Sequence, residues 1–136
     1  MQDRPRLAGH LEAAADLRLI VAGLPVLDEA GFRLLQGLGM TGCLMDAGRM
    51  AGVPYRTAWD RLRQTAKAWG EPVVETASGG TRGGSSRVTA AGEQVLSIYT
   101  SLRREHERCL HSLNQQLERE WNRPLRAEAR LGKGIT

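Results

Sequence analysis

Apolar residues recur with a changing period along the chain, and each change of period marks a change of element. Residues 1–16, MQDRPRLAGHLEAAAD, show no periodic face and read as an N-terminal arm, with a short helix over LEAAAD as the alternative. The next stretch, DLRLIVAGLPVL, is rich in Leu, Ile and Val but interrupted by Gly23 and Pro25, which suits a single edge strand better than a helix. Asp28 then stands as an N-cap before EAGFRLLQGL, where Phe32, Leu35 and Leu38 fall at helical spacing. That helix is predicted to end at Gly37 or Gly39.

A short helix, LMDAGRMA, follows and is bounded by Gly52. Pro54 suits the first turn of a longer one, VPYRTAWDRLRQTAKAW. Two helices joined by a very short Gly-containing turn are the signature of a helix-turn-helix. Gly70 and Pro72 stop the second helix, PVVETA reads as a β-strand and RVT as its partner, with the Gly-rich SGGTRGGSS between them. A hairpin at that place has the organisation of a wing. From Ala91 to Trp121 the chain has no Pro and no Gly after Gly92, and Val95, Tyr99, Leu102, His106, Cys109, Leu113 and Leu117 recur at steps of three and four. One long amphipathic helix is predicted, ended by Asn122 and Pro124 and followed by a basic tail.

The predicted fold is therefore α+β, mainly α: a winged helix-turn-helix with a long C-terminal dimerisation helix. Its expected divisions are an arm over 1–16, a DNA-binding domain over 17–90, a dimerisation helix over 91–122 and a flexible tail over 123–136. A chain of 136 residues has material for one main hydrophobic core. Aromatics make up only 4%, which speaks against an aromatic-rich sheet or a carbohydrate site. The net charge of +4 and a pI near 9.7 favour polyanionic partners, because Lys and Arg release counterions from phosphates they neutralise. No run approaches the roughly 18 apolar residues that span a bilayer, and the N-terminus has no signal-peptide core. No membrane partner and a cytoplasmic location are expected. Cys43 and Cys109 lie in different predicted elements, far from any disulfide or paired-ligand spacing, and read as reduced thiols.

At about 100° per residue, the second helix of the motif places Ala58, Leu62, Ala66 and Trp69 on one side. Arg56, Thr57, Asp60, Arg63, Gln64 and Lys67 fall on the other, free to face DNA. Tyr55 and Trp59 flank the core face, and Tyr55 in the first turn is placed to reach a phosphate. In the wing, glycines admit close approach to the sugar-phosphate backbone, while Arg82 at the tip and Arg87 on the return strand supply charge. The expected DNA contacts are thus Tyr55, Arg56, Thr57, Asp60, Arg63, Gln64, Arg82 and Arg87. The expected dimer face is Val95, Tyr99, Leu102, Cys109, Leu113 and Leu117. SGGTRGGSS lacks the Lys followed by Ser or Thr that a phosphate-binding P-loop needs. His106 and Cys109 share a helical face but His111 is rotated away, so no metal site is expected. No nucleophile, base and carboxylate grouping suggests an enzyme, and neither a cofactor nor a small-molecule effector is evident. The alternative to an operator-binding regulator is a protein-interaction module that holds DNA only non-specifically.

The stretch GCLMDAGRMAGVPYRTAWDRLRQTAKAWGEPVVETASGGTRGGSSRVTAAGEQVLSIY resembles the N-terminal DNA-binding domain of the ModE family, molybdate-responsive transcription regulators related to the LysR-type helix-turn-helix. AGVPYRTAWD, VVETASGGTRGG and VTAAG carry the likeness, in that order, and it extends over roughly Leu17 to Leu117. The resemblance implies a homodimeric winged-helix DNA binder acting on transcription, with repression as the expected output. Two departures stand out: Gly83, Gly84, Ser85 and Ser86 where the family wing is typically all glycine, and Gly48 where the short helix usually has Ala. Family members of full length carry a C-terminal molybdate-binding portion to which the likeness does not extend, so molybdate sensing is not carried over.

Overall fold

The computed structural model describes residues 11–77 and 85–121. Its elements run β1 (Leu19–Val21), β2 (Leu24–Leu27), α1 (Glu29–Thr41), α2 (Leu44–Ala51), α3 (Tyr55–Trp69), β3 (Val74–Ala77), β4 (Ser85–Val88) and α4 (Ala90–Glu120). The class is α+β and mainly α: four helices with two small antiparallel sheets, β1–β2 and β3–β4. The described residues divide into two compact units, one within 16–104 and one formed by 11–15 with 105–121.

The core of the first unit is drawn from every helix. Phe32, Leu34, Leu35 and Leu38 of α1 meet Leu44 and Ala47 of α2, Ala58 and Leu62 of α3, Val73, and Val95 and Tyr99 of α4. Asp28 starts α1 as the sequence predicts, its carboxylate accepting from the Gly31 amide at 2.8 Å. The helix does not stop at Gly37 or Gly39, however, but runs on to Thr41 and is closed by Gly42. A glycine inside a helix costs about 1 kcal/mol relative to Ala. Packing offsets that cost at Gly37, where a Cβ would lie 3.3 Å from Ala47 Cα, so its lack of a side chain brings α1 and α2 into close contact.

The single strand expected over residues 17–27 is instead a hairpin. Val21 pairs with Leu24 and Ile20 with Pro25, and the two-residue turn has positive φ at both Ala22 (50°) and Gly23 (81°). Two consecutive positive φ angles match the right-handed twist of the flanking strands, which is why hairpin turns favour them. Val26 and Leu27 then enter the core, while Ile20, Val21 and Leu24 remain exposed.

In β3–β4, Val74 faces Val88, Glu75 faces Arg87, Thr76 faces Ser86 and Ala77 faces Ser85. Ser85 and Ser86, expected in the connection, thus belong to the strand. The Ser86 amide donates to the Gly42 carbonyl at 3.0 Å, which ties β4 to the end of α1. Just past the other end of β4, Thr89 makes three bonds, two to the loop before β3 and one to the start of α4. Its amide donates to Val73 O (3.0 Å), its hydroxyl donates to Pro72 O (2.7 Å), and the same oxygen accepts from the Gly92 amide (3.1 Å) at the start of α4. Gly92 must be glycine for this junction to close, since a Cβ there would sit 2.4 Å from Val73 O.

α4 fills the span predicted for the long helix, but its first turns are core and not a dimer face. Val95 and Tyr99 are fully buried within the chain itself. The Tyr99 ring stacks on Phe32 at 5.0 Å. In the second unit, residues 11–15 are not helical. The Asn114 carboxamide holds Ala13 from both sides, accepting from its amide (2.7 Å) and donating to its carbonyl (3.1 Å).

Candidate nucleic-acid interface

α2 and α3 meet at the tight turn 52–54. Gly52 lies in the left-handed region at φ 70°, a conformation that closes the last turn of α2 at little cost only for glycine. The Val53 amide then donates back to Gly48 O at 2.8 Å. Pro54, at φ −61°, leads into α3. Its ring fixes that angle in advance, so the chain is committed to a new helical axis.

α3 buries Ala58, Leu62 and Thr65. Thr65 was not anticipated as a core position; its hydroxyl donates to Val26 O at 2.6 Å and so anchors α3 to β2. Arg61 also turns inward, reaching both oxygens of Asp28 at 3.2 and 3.3 Å. The carboxylate that caps α1 therefore also locates α3. Neither partner was singled out for this from the sequence, because the two are separated by 33 residues.

The opposite side of α3 is open. Tyr55, Arg56, Thr57, Asp60, Arg63, Gln64 and Lys67 are all exposed, as the helical spacing predicts. Trp59 sits between the two faces, packed in part against the core. The edge of one ring meets the face of the other in the Tyr55–Trp59 pair, with centroids 6.5 Å apart and planes at 88°. The Arg63 guanidinium lies over the Trp59 ring at 5.8 Å, and its Nη2 donates to Asp60 Oδ1 at 3.3 Å.

In the β3–β4 hairpin, Arg87 is exposed but pairs across the strands with Glu75 at 3.3 Å, which offsets part of the charge it was expected to contribute. Arg82 lies outside the described residues. Of the residues expected on the dimer face, Leu102 and Leu113 are 42% and 46% exposed and Cys109 is exposed, while Leu117 is half-buried. Ile98, one turn before Leu102, is also exposed. Among the described residues no three His, Cys, Asp or Glu side chains gather as a metal site, and no helix is long and apolar enough to cross a membrane.

A polar network on the far side of α1 was not legible either. Glu29 accepts from Arg103 Nε and Nη2 at 3.0 and 2.9 Å. The Arg103 guanidinium beside it holds the Glu29 carboxyl below the usual carboxylate range, against the opposing effect of burial. Tyr99 donates to Leu17 O at 3.0 Å. Burial, with Glu29 nearby, pushes the Tyr99 hydroxyl up to about 12.

No protein-family model matches the chain. It is 37% identical over 83 residues to the molybdenum-pterin-binding protein MopA of Rhodobacter capsulatus, covering 61% of this chain and 31% of that protein. It is 32% identical over 90 residues to the transcriptional regulator ModE of Haemophilus influenzae, covering 66% of this chain and 35% of the relative. The DNA-binding transcriptional dual regulator ModE of Escherichia coli K12 is 28% identical over 75 residues, 55% of this chain and 29% of its own length. The chain spans about a third of the length of the curated relatives it matches.

Proposed function

Over its matched stretch the chain is ModE-like, and from that premise we propose that it is a sequence-specific, DNA-binding transcription regulator of winged helix-turn-helix type. Its α3 enters the major groove and its β3–β4 hairpin lies against the backbone. One observation carries this reading. Directly after a tight turn and directly before a β-hairpin, α3 buries Ala58, Leu62 and Thr65 and leaves Tyr55, Arg56, Thr57, Asp60, Arg63 and Gln64 exposed.

The chain acts in the cytoplasm as a homodimer and as a binder, not an enzyme. Its pairing surface is a stripe of α4: exposed Leu102, Cys109 and Leu113 and half-buried Leu117, with exposed Ile98 added and with Val95 and Tyr99 removed to the core. Occupying a promoter represses it without further machinery, and repression is its output. Selection from a random pool of duplexes, followed by affinity measurement at matched salt, tests the reading. A selected duplex bound roughly 10³-fold or more above a scrambled one is the expected result. Equal affinity for both would leave only non-specific tethering, and with it an interaction module in place of an operator reader.

A further inference from the structure

Two arginines stand on the open face of α3, and the fold treats them differently. Among the described residues Arg56 has no ion pair, whereas Arg63 is held twice. Asp60, three residues earlier, takes one hydrogen of Nη2 at 3.3 Å. Trp59, four residues earlier, offers its ring face at 5.8 Å. Those spacings put the three side chains on adjacent positions of the helix surface. Trp59 is itself fixed, because part of it packs on the core and Tyr55 abuts it edge to face. Arg63 nonetheless remains open to a ligand, with its side chain 66% exposed.

We infer that Arg63 reads a guanine, and that Trp59 and Asp60 are positioning residues which fix its guanidinium before DNA arrives. This rests on the DNA-binding reading above. An arginine side chain loses rotamer freedom on binding, and less is lost when the planar fork is already aligned. With one hydrogen given to Asp60, the guanidinium keeps a complete two-pronged edge. Guanine alone offers two acceptors, O6 and N7, side by side in the major groove; adenine sets a donor beside its N7 and does not match the fork. Asp60 bound to Arg63 also has its charge offset, so a carboxylate on this face need not repel the phosphates.

The test uses the full chain and the duplex selected from the random pool. Each guanine is replaced in turn by 7-deazaguanine, which lacks the N7 acceptor. One replacement per half-site is expected to weaken wild-type binding about tenfold, in the range of a lost bidentate contact. The same replacement should have no further effect on Arg63→Ala. Trp59→Leu should lose most of that guanine preference with its salt dependence unchanged, and Trp59→Phe should regain it. Asp60→Asn, a surface change, reports on the same hold if Trp59→Leu fails to fold, and should also weaken the preference. If Arg63→Ala keeps the full penalty at every guanine, or lowers affinity for all duplexes equally with a smaller salt slope, Arg63 grips a phosphate and the inference fails while the proposed function stands. Unchanged guanine preference in both Trp59→Leu and Asp60→Asn would remove the positioning roles. Failure to select any duplex would overturn the proposed function and this inference together.

Discussion

A methyl group at position 92 would meet the Val73 carbonyl oxygen at 2.4 Å and Val88 Cγ1 at 2.6 Å, and the first of these is backbone that cannot rotate aside. Gly92→Ala should therefore destabilise the protein by about 1–3 kcal/mol, the usual cost of overpacking, although Ala is the better helix former. Gly39→Ala is the matched control, because its Cβ would find nothing nearer than 3.8 Å and should gain up to about 1 kcal/mol. Urea unfolding of both variants decides the matter, and a stabilised Gly92→Ala would show that the junction has slack. The two titratable groups beside α1 act at opposite ends of the pH scale. Glu29 is held below its ordinary pKa, so its contribution is present above the carboxylate range and fades as pH falls through the folded value. Tyr99, pushed up to about 12, contributes fully below its unfolded value of about 10 and loses that contribution as pH rises toward 12. Melting temperatures across pH should show Glu29→Gln with a shallower acid decline and Tyr99→Phe with a shallower alkaline one. Parallel curves for wild type and variants would contradict these assignments.

Elements differ in how openly the sequence announces them. The α2–turn–α3 unit was legible because its punctuation is chemical: Gly52 can take the left-handed end of α2, and Pro54 fixes the approach to α3. The β1–β2 hairpin was not, because Ala-Gly is a weak turn signal inside an apolar run, and only the paired backbone reveals positive φ at Ala22. α1 ran past Gly37 because burial against Ala47 outweighs intrinsic preference, a tertiary effect that local sequence does not carry. In α4 the heptad-like stripe was visible, but periodicity cannot say whether an apolar face meets the chain's own core or a second chain. Val95 and Tyr99 took the first course, both buried in the chain's own core, with Tyr99 stacked on Phe32 of α1. The exposed remainder bears on assembly, since Leu102 and Leu113 leave apolar area in water that a twin helix would cover at about 25 cal/mol per Å². Leu113→Glu is expected to sediment as a monomer and to weaken operator binding, while a wild-type chain that is monomeric at micromolar concentration would rule out α4 pairing.

At the scale of the whole molecule, a net charge of +4 suits a protein whose affinity is largely electrostatic, and its binding should fall steeply with salt. Helix and hairpin are expected to fail differently. Arg56→Ala, in the first turn of α3, should relax sequence choice, whereas Arg82→Ala should weaken all duplexes alike and lower the salt slope by about one. Titrations on selected and scrambled duplexes across a salt series separate the two outcomes, and the reverse pattern would exchange the roles. The contacts that hold α4 to α1 were beyond sequence reasoning for a simple reason: Glu29 and Arg103 are 74 residues apart, and nothing local marks either as the other's partner. Thr89 has a consequence of this kind for motion. Its amide, hydroxyl hydrogen and hydroxyl oxygen each serve a different residue, and Ser86 on the strand that leads into it is bonded to the Gly42 carbonyl at the end of α1, so these bonds should open together. The strand stem and the first turn of α4 should behave as one foldon. Native-state hydrogen exchange would then give the Ser86, Thr89 and Gly92 amides a common opening free energy, and Thr89→Val would release Gly92 to exchange ahead of the other two. Opening energies already separated by more than about 1 kcal/mol in the wild type would mean that the hairpin breathes independently of the helix it feeds.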